Sequence, residues 1–258
     1  MLRTPAIVAL SLPLAVLGCT AHATIINVPG DQPTIQIGIG AATNGDTVLV
    51  APDTYSEDFA FLGKAVTVGS WFLTTGDPAY VSATIVDGGG TFGPLVTFSA
   101  GEDSLSVLCG LTLQNGVATR GGAVLCQSSS PRIVECELIG NQASTDGGGI
   151  YVDASGPIVE NCRFESNEAV GNAGGGFGVR HGSPRISGCV FTGNTAHYEG
   201  GAIFCEDSAP VISGNVVDGN SSAVTYAGGI MSRNCTAVIT GNVIANNHTY
   251  GHGGGLFY

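Results

Sequence analysis

Basic side chains are scarce in this chain. Its 258 residues hold eight lysines and arginines together, with Lys64 the single lysine, against twenty aspartates and glutamates, for a formal charge of -12. A surface of that sign repels phosphate, which excludes nucleic acid and anionic membranes as natural partners. Charged residues are only 11% of the chain, whereas 43% are hydrophobic and 41 are glycine. The shortage of helix formers such as lysine and the wealth of glycine describe a large interior bounded by many tight turns. Beyond the leader, no stretch approaches the roughly 18 apolar residues of a membrane span.

The leader occupies residues 1–23: Arg3, an apolar run from Ala6 to Leu17, then Ala21-His22-Ala23. This is the pattern of a cleaved secretory signal. Cleavage before Cys19 in Val16-Leu17-Gly18-Cys19 would instead make a lipoprotein, although Leu17 is bulky for that site. The expected location is outside a bacterial cell, free or held at its surface.

The rest repeats itself. "GGAVLCQSSSPRIVECELIGN" from Gly121 recurs from Gly147, Gly174 and Gly200, a fifth copy reads from Gly228, and "GGGLFY" opens a sixth at Gly253. Successive starts are 26, 27, 26, 28 and 25 residues apart. Such a period marks a solenoid whose units bury their apolar faces only against neighbours. In register, the copies give apolar columns: Val124, Ile150, Phe177, Ile203, Met231 and Leu256; then Cys126, Val152, Val179, Cys205, with Arg233 in the fifth copy; then Leu138, Phe164, Phe191, Val217 and Ile244. Short alternating segments separated by turns stack as parallel strands about 4.8 Å apart. The predicted fold is all-β, a parallel β-helix. A further column, Asn115, Asn141, Asn167, Asn194, Asn220 and Asn247, reads as a structural ladder, because asparagine tolerates left-handed turns and stacked amides bond along the axis. The Gly-Gly pairs lack the strand, helix and lysine of a phosphate loop.

Seven cysteines follow the leader. Cys136, Cys162 and Cys189 share one position on successive coils, where parallel Cβ vectors suit a column of thiols better than a disulfide. Four convergent zinc ligands cannot be assembled from this spacing, and no calcium-binding nonapeptide array occurs. No metal and no cofactor is expected.

Residues 24–115 lead into the repeats of 116–258. "TIQIGIGAATNGDTVLVAPDTYSEDF", from Thr34, resembles the start of secreted right-handed parallel β-helix proteins of the pectin-lyase-like superfamily, and "GKAVTVGSWFLTTGDPAYVSATIVDGG" and "GEDSLSVLCGLTLQNG" extend the likeness. It implies right-handed coils, an N-terminal helical cap around Pro33 to Ala42, and an extracellular role. Gly-Gly-Ala-Ile at Gly200 and Phe-x-x-Asn at Phe164 and Phe191 are similar, more loosely, to repeats of chlamydial polymorphic outer-membrane adhesins. The sequence stops where another strand begins, so an anchoring or sorting domain is expected beyond it.

Function is carried by the turn ahead of each Gly-Gly. His197, Tyr198, Glu199, Tyr226, His248, Tyr250 and His252 gather there, and aromatic faces beside hydrogen-bonding groups hold sugar rings or protein surfaces. Asp146 and Glu199, two coils apart and so about 9.6 Å from each other, are the candidate catalytic pair. Loops this short raise only low ridges, poor walls for a pocket. The expectation is a non-catalytic adhesion module for a polysaccharide or a surface protein; the alternative is a polysaccharide lyase or glycoside hydrolase.

Overall fold

The structure is a computed structural model that describes residues 23–258. The leader, apart from Ala23, and the anchor considered at Cys19 lie outside the described residues.

Left-handed corners bend the coils into short strands, four to a coil from Val96 onward and fewer before it, so that four parallel sheets of nine, eight, eight and six strands form the walls. One coil shows the order. Val124–Gln127 lies on the first face, Arg132–Val134 on the second, Glu137–Ile139 on the third and Gln142–Ala143 on the fourth. The next coil lies directly over it: Leu138 pairs with Phe164, and Phe164 with Phe191. Those two rings stack inside, 4.3 Å apart and 7° from coplanar. Aliphatic and aromatic columns fill one continuous core from Val28 to Ile230.

A parallel sheet satisfies backbone groups along its strands but not at the corners, and these corners are buried. Side chains solve the problem. Asn167 Oδ1 accepts from the N–H of Asn141 (3.1 Å) and from its Nδ2 (2.9 Å), while Nδ2 of Asn141 also donates to Leu113 O. The same contacts join Asn167 to Asn194, Asn194 to Asn220 and Asn220 to Asn247. At another corner Cys189 N–H donates to Asn215 Oδ1 (2.8 Å), Cys162 N–H to Cys189 Sγ (3.4 Å), and Asn215 is bonded likewise to Asn242. Cysteine and asparagine thus fill the same seat. A third corner uses serine: Ser129 N–H donates to Ser155 Oγ, and Gly182 N–H to Ser208 Oγ. Near its head the Glu102 carboxylate accepts from Ser129 Oγ and from the N–H groups of Gly63 and Ala100.

Two expectations shift by one residue. Asn115 is not in the ladder; it is exposed at φ 56°, and its amide bonds Asp87. Gly116 takes the ladder seat, donating its N–H to Asn141 Oδ1. The left-handed residue is therefore the one before each ladder seat: Asn115 before Gly116, and Gly140, Ser166, Gly193, Gly219 and Asn246 before the asparagines. The fifth repeat begins at Ala227 rather than Gly228, with Ile230 pairing Ile203 and Leu256 while Met231 and Arg233 face outward beside Phe204 and Glu206. Ala227, at φ 47°, stands where the other repeats place a glycine, as at Gly200 with φ 59°. A Cβ on the following Gly201 would lie 2.3 Å from Ser221 O, so that second glycine is a requirement of coil packing.

The N-terminal end is closed by helix α1, Ile35–Ala41, which buries Ile35 and Ile39 on the first strands. Thr34 caps its start, the Glu57 carboxylate takes the N–H groups of Ile35 and Gln36, and Lys64 Nζ donates to the carbonyls of Ile39, Gly40 and Ala42. This charge complements the helix dipole at both ends. Two short helices, Phe72–Thr75 and Ala79–Ala83, leave the wall between the second and third faces, with Trp71 edge-on to Tyr80; the sequence reading had not separated them from the coils.

All seven cysteines of the described residues are free thiols. Burial holds those of Cys126, Cys162 and Cys205 well above the usual thiol range, which makes them unreactive. Two outcomes follow. Asn194→Ala strands two buried donors of Asn167 and should cost about 2 to 6 kcal/mol by denaturant unfolding, whereas Asn115→Gly, outside the ladder, should stay within about 0.5 kcal/mol. Thiol titration without reductant should find the seven in the unfolded chain and almost none in the native one; a single reactive thiol after unfolding would contradict the column.

Candidate functional site

The turn from the fourth face to the next coil folds back across the outer side of the first face. That side carries the column Leu125, Tyr151, Gly178, Phe204, Met231 and Phe257. The turns cover its later part: Ala173 and Ala227 pack on Phe204 and Met231, with Tyr226 against them. Tyr226 lies 4.5 Å from the Phe257 ring and stacks on His252 at 6.0 Å. Tyr226 and His252 therefore roof an apolar strip.

Charges alternate along the same side. Arg120 lies 3.9 Å from Asp146, Asp146 is 3.4 Å from Arg180, Arg180 pairs with Glu206, Glu206 is 3.1 Å from Arg233, and Arg233 pairs with Glu199. Three arginines and three carboxylates cancel. The guanidinium of Arg120 sits over Tyr151, and those of Arg180 and Arg233 sit over Phe204, at 5.1, 5.1 and 5.8 Å. The side chains of Asp146 and Glu199 are 2% and 9% exposed. Each carboxylate considered for catalysis is thus sealed, paired with arginine, and separated from the other by the coil of Ala173.

The remaining aromatic candidates do meet. The outward row of the fourth face runs Glu168, Thr195, Ser221 and His248. Two residues further along each coil stand Val170, His197, Ala223 and Tyr250. Together they line a shallow groove of about 350 Å³. Small residues, Ser221 and Ala223, form its floor. His197, edge-on to Tyr198, and Tyr250, edge-on to His248, rise one coil to either side. Tyr250 is 81% exposed, with no neighbour claiming its outer face.

A larger groove, about 890 Å³, was not anticipated. It crosses several coils at the serine corner, along Ser155-Gly156, Gly182-Ser183 and Ser208-Ala209, with His181 and Asp207 on its rim. His181 Nδ1 lies 3.2 Å from Asp153 Oδ1. Its only signal in the sequence is a run of small residues at one offset, which also fits plain turns. Among the described residues no three histidine, cysteine or acidic side chains converge as a metal site, and no helix is long and apolar enough to cross a membrane.

These coils have a counterpart among known families. A family model described as a right handed beta helix region matches residues 121–257. The chain belongs to the right-handed β-helix family. No curated protein and no solved structure matches it. The match gives the right-handed β-helix fold and attaches no ligand to either groove.

Glu206 is central to the charged row, bonded to arginines on both sides. Glu206→Gln should lower stability by about 1 to 3 kcal/mol, between the values for surface and buried pairs. The loss should shrink in high salt, which denaturant midpoints at two ionic strengths will read.

Proposed function

We propose that the protein is an exported, non-catalytic surface module that holds an extended partner, a polysaccharide or the surface of another protein, along its fourth face. The observation that supports this most is the groove between His197 and Tyr250. Two coil rises of about 4.8 Å separate the aromatic walls, which leaves room for one ring of a ligand above Ser221 and Ala223. Rings supply stacking faces, and the hydroxyls of Thr195 and Ser221 with the carboxylate of Glu168 supply hydrogen bonds. A linear polymer that crosses the coil axis seats one ring between these walls. The leader of residues 1–23 supports export, and the excess of acidic groups favours neutral over acidic polymers.

Catalysis finds less support. Asp146 and Glu199 face arginines rather than a cavity, and a general acid must reach the atom it protonates. Binding to immobilised neutral and acidic polysaccharides tests the reading. Tyr250→Ala should weaken capture by about 1 to 2 kcal/mol, Ala223→Trp should fill the groove and abolish capture, and Glu199→Gln should change little. Assays for new reducing ends and for unsaturated uronate absorbance run alongside. Turnover that disappears in Glu199→Gln or Asp146→Asn would overturn the non-catalytic reading.

A further inference from the structure

The strip on the outer side of the first face is roofed unevenly. From Phe204 onward the turns lie on it and Arg120 covers Tyr151, but over Leu125 they do not close. Instead a cavity of about 430 Å³ opens there. Leu125 is its floor, Phe92 with Pro94 its wall, and Tyr151, 2% exposed beneath the Arg120 guanidinium, bounds it on the side of the next coil. The Tyr151 ring lies beside Gly178 of the next coil, where an added Cβ would meet Cδ2 at an ordinary contact distance of 3.5 Å. Phe92 is 70% exposed, yet its backbone is bound to the neighbouring coil through a bridge to Val117 and through Gly93 N–H to Val117 O at 2.9 Å. An aromatic side chain is thereby held out over a void.

Arg120 stands on the rim of the same cavity. Arg180 and Arg233 each lie between two carboxylates, whereas Arg120 has Asp146 alone, at 3.9 Å and shared with Arg180. Its side chain is 48% exposed and lines the opening. The other charge on the rim, Asp153, lies against His181 Nδ1 at 3.2 Å and steers an anion toward the Arg120 side.

We infer that this cavity binds a small hydrophobic carboxylate, its apolar body between Phe92 and Leu125 and its anionic group on Arg120. The volume lies within the range of small-ligand sites, and an apolar lining with one charged anchor is their usual chemistry. The inference is independent of the groove on the fourth face.

Two probes of equal shape decide it, 2-naphthoate and the uncharged 2-naphthamide, titrated against the whole protein at low salt. Naphthoate should bind about tenfold or more tighter than the amide, the difference a charge-assisted hydrogen bond makes. Arg120→Gln should erase that preference while the amide still binds, and added salt should weaken naphthoate only. Phe92→Ala, a change at an exposed position that leaves the coils intact, should weaken both probes by about fivefold to tenfold. Equal affinity for the two probes, no binding of either, or an unchanged affinity in Phe92→Ala would each overturn the assignment.

Discussion

One hydrogen bond governs this molecule: the corner N–H of one coil donating to the side chain of the corresponding residue one coil later. Strands can slide past one another by two residues and still bury alternate side chains, so the sheets alone do not fix the coil. A buried asparagine amide does, because its donors and acceptor are satisfied only by the matching corner groups of the neighbouring coils. With Asn194 between Asn167 and Asn220, every coil must return to the same corner. Variation in coil length is then confined to outward turns. Observed repeat starts at Gly121, Gly147, Gly174, Gly200, Ala227 and Gly253 differ by only 26 or 27 residues.

That confinement decides where chemistry can reside. The interior is fully occupied by columns, the corners by amides, thiols and hydroxyls engaged with one another. Only the outer rows are free to vary. The turn ahead of each repeat is consequently divided between two duties, with Tyr226 and Glu199 covering an apolar strip and neutralising its arginines while His197 and Tyr250 face solvent. Nearby residues in one turn serve opposite sides of it, because a turn has an inner and an outer surface only a side chain apart.

Much of this was legible from spacing. Leu138, Phe164 and Phe191 recur at one offset because a core column demands it, and so do the asparagines from Asn141 to Asn247. Where two adjacent positions select the same residue for different reasons, spacing misleads. Asparagine suits both the left-handed seat and the ladder seat, as Asn246 and Asn247 show side by side, and Asn115 occupies the first of these. Glycine marks a repeat start until Ala227 accepts the same left-handed backbone. The alternating charges were not legible at all. Arg120 and Asp146 come from turns and Arg180, Glu206 and Arg233 from strands, so no single offset joins them; only the fold-back of the turn brings them into one row.

The strand hydrogen bonds and the corner ladders share a direction, that of the coil axis. Mechanically the protein is therefore anisotropic. A load applied along the axis pulls on one coil boundary at a time, so the stack peels from an end at low force, each step releasing a coil of 26 or 27 residues as slack. A load across the axis is shared by many coils in parallel and meets a stiff body. As a tether, the chain would act as a stepwise shock absorber lengthwise and as a rigid spar sideways.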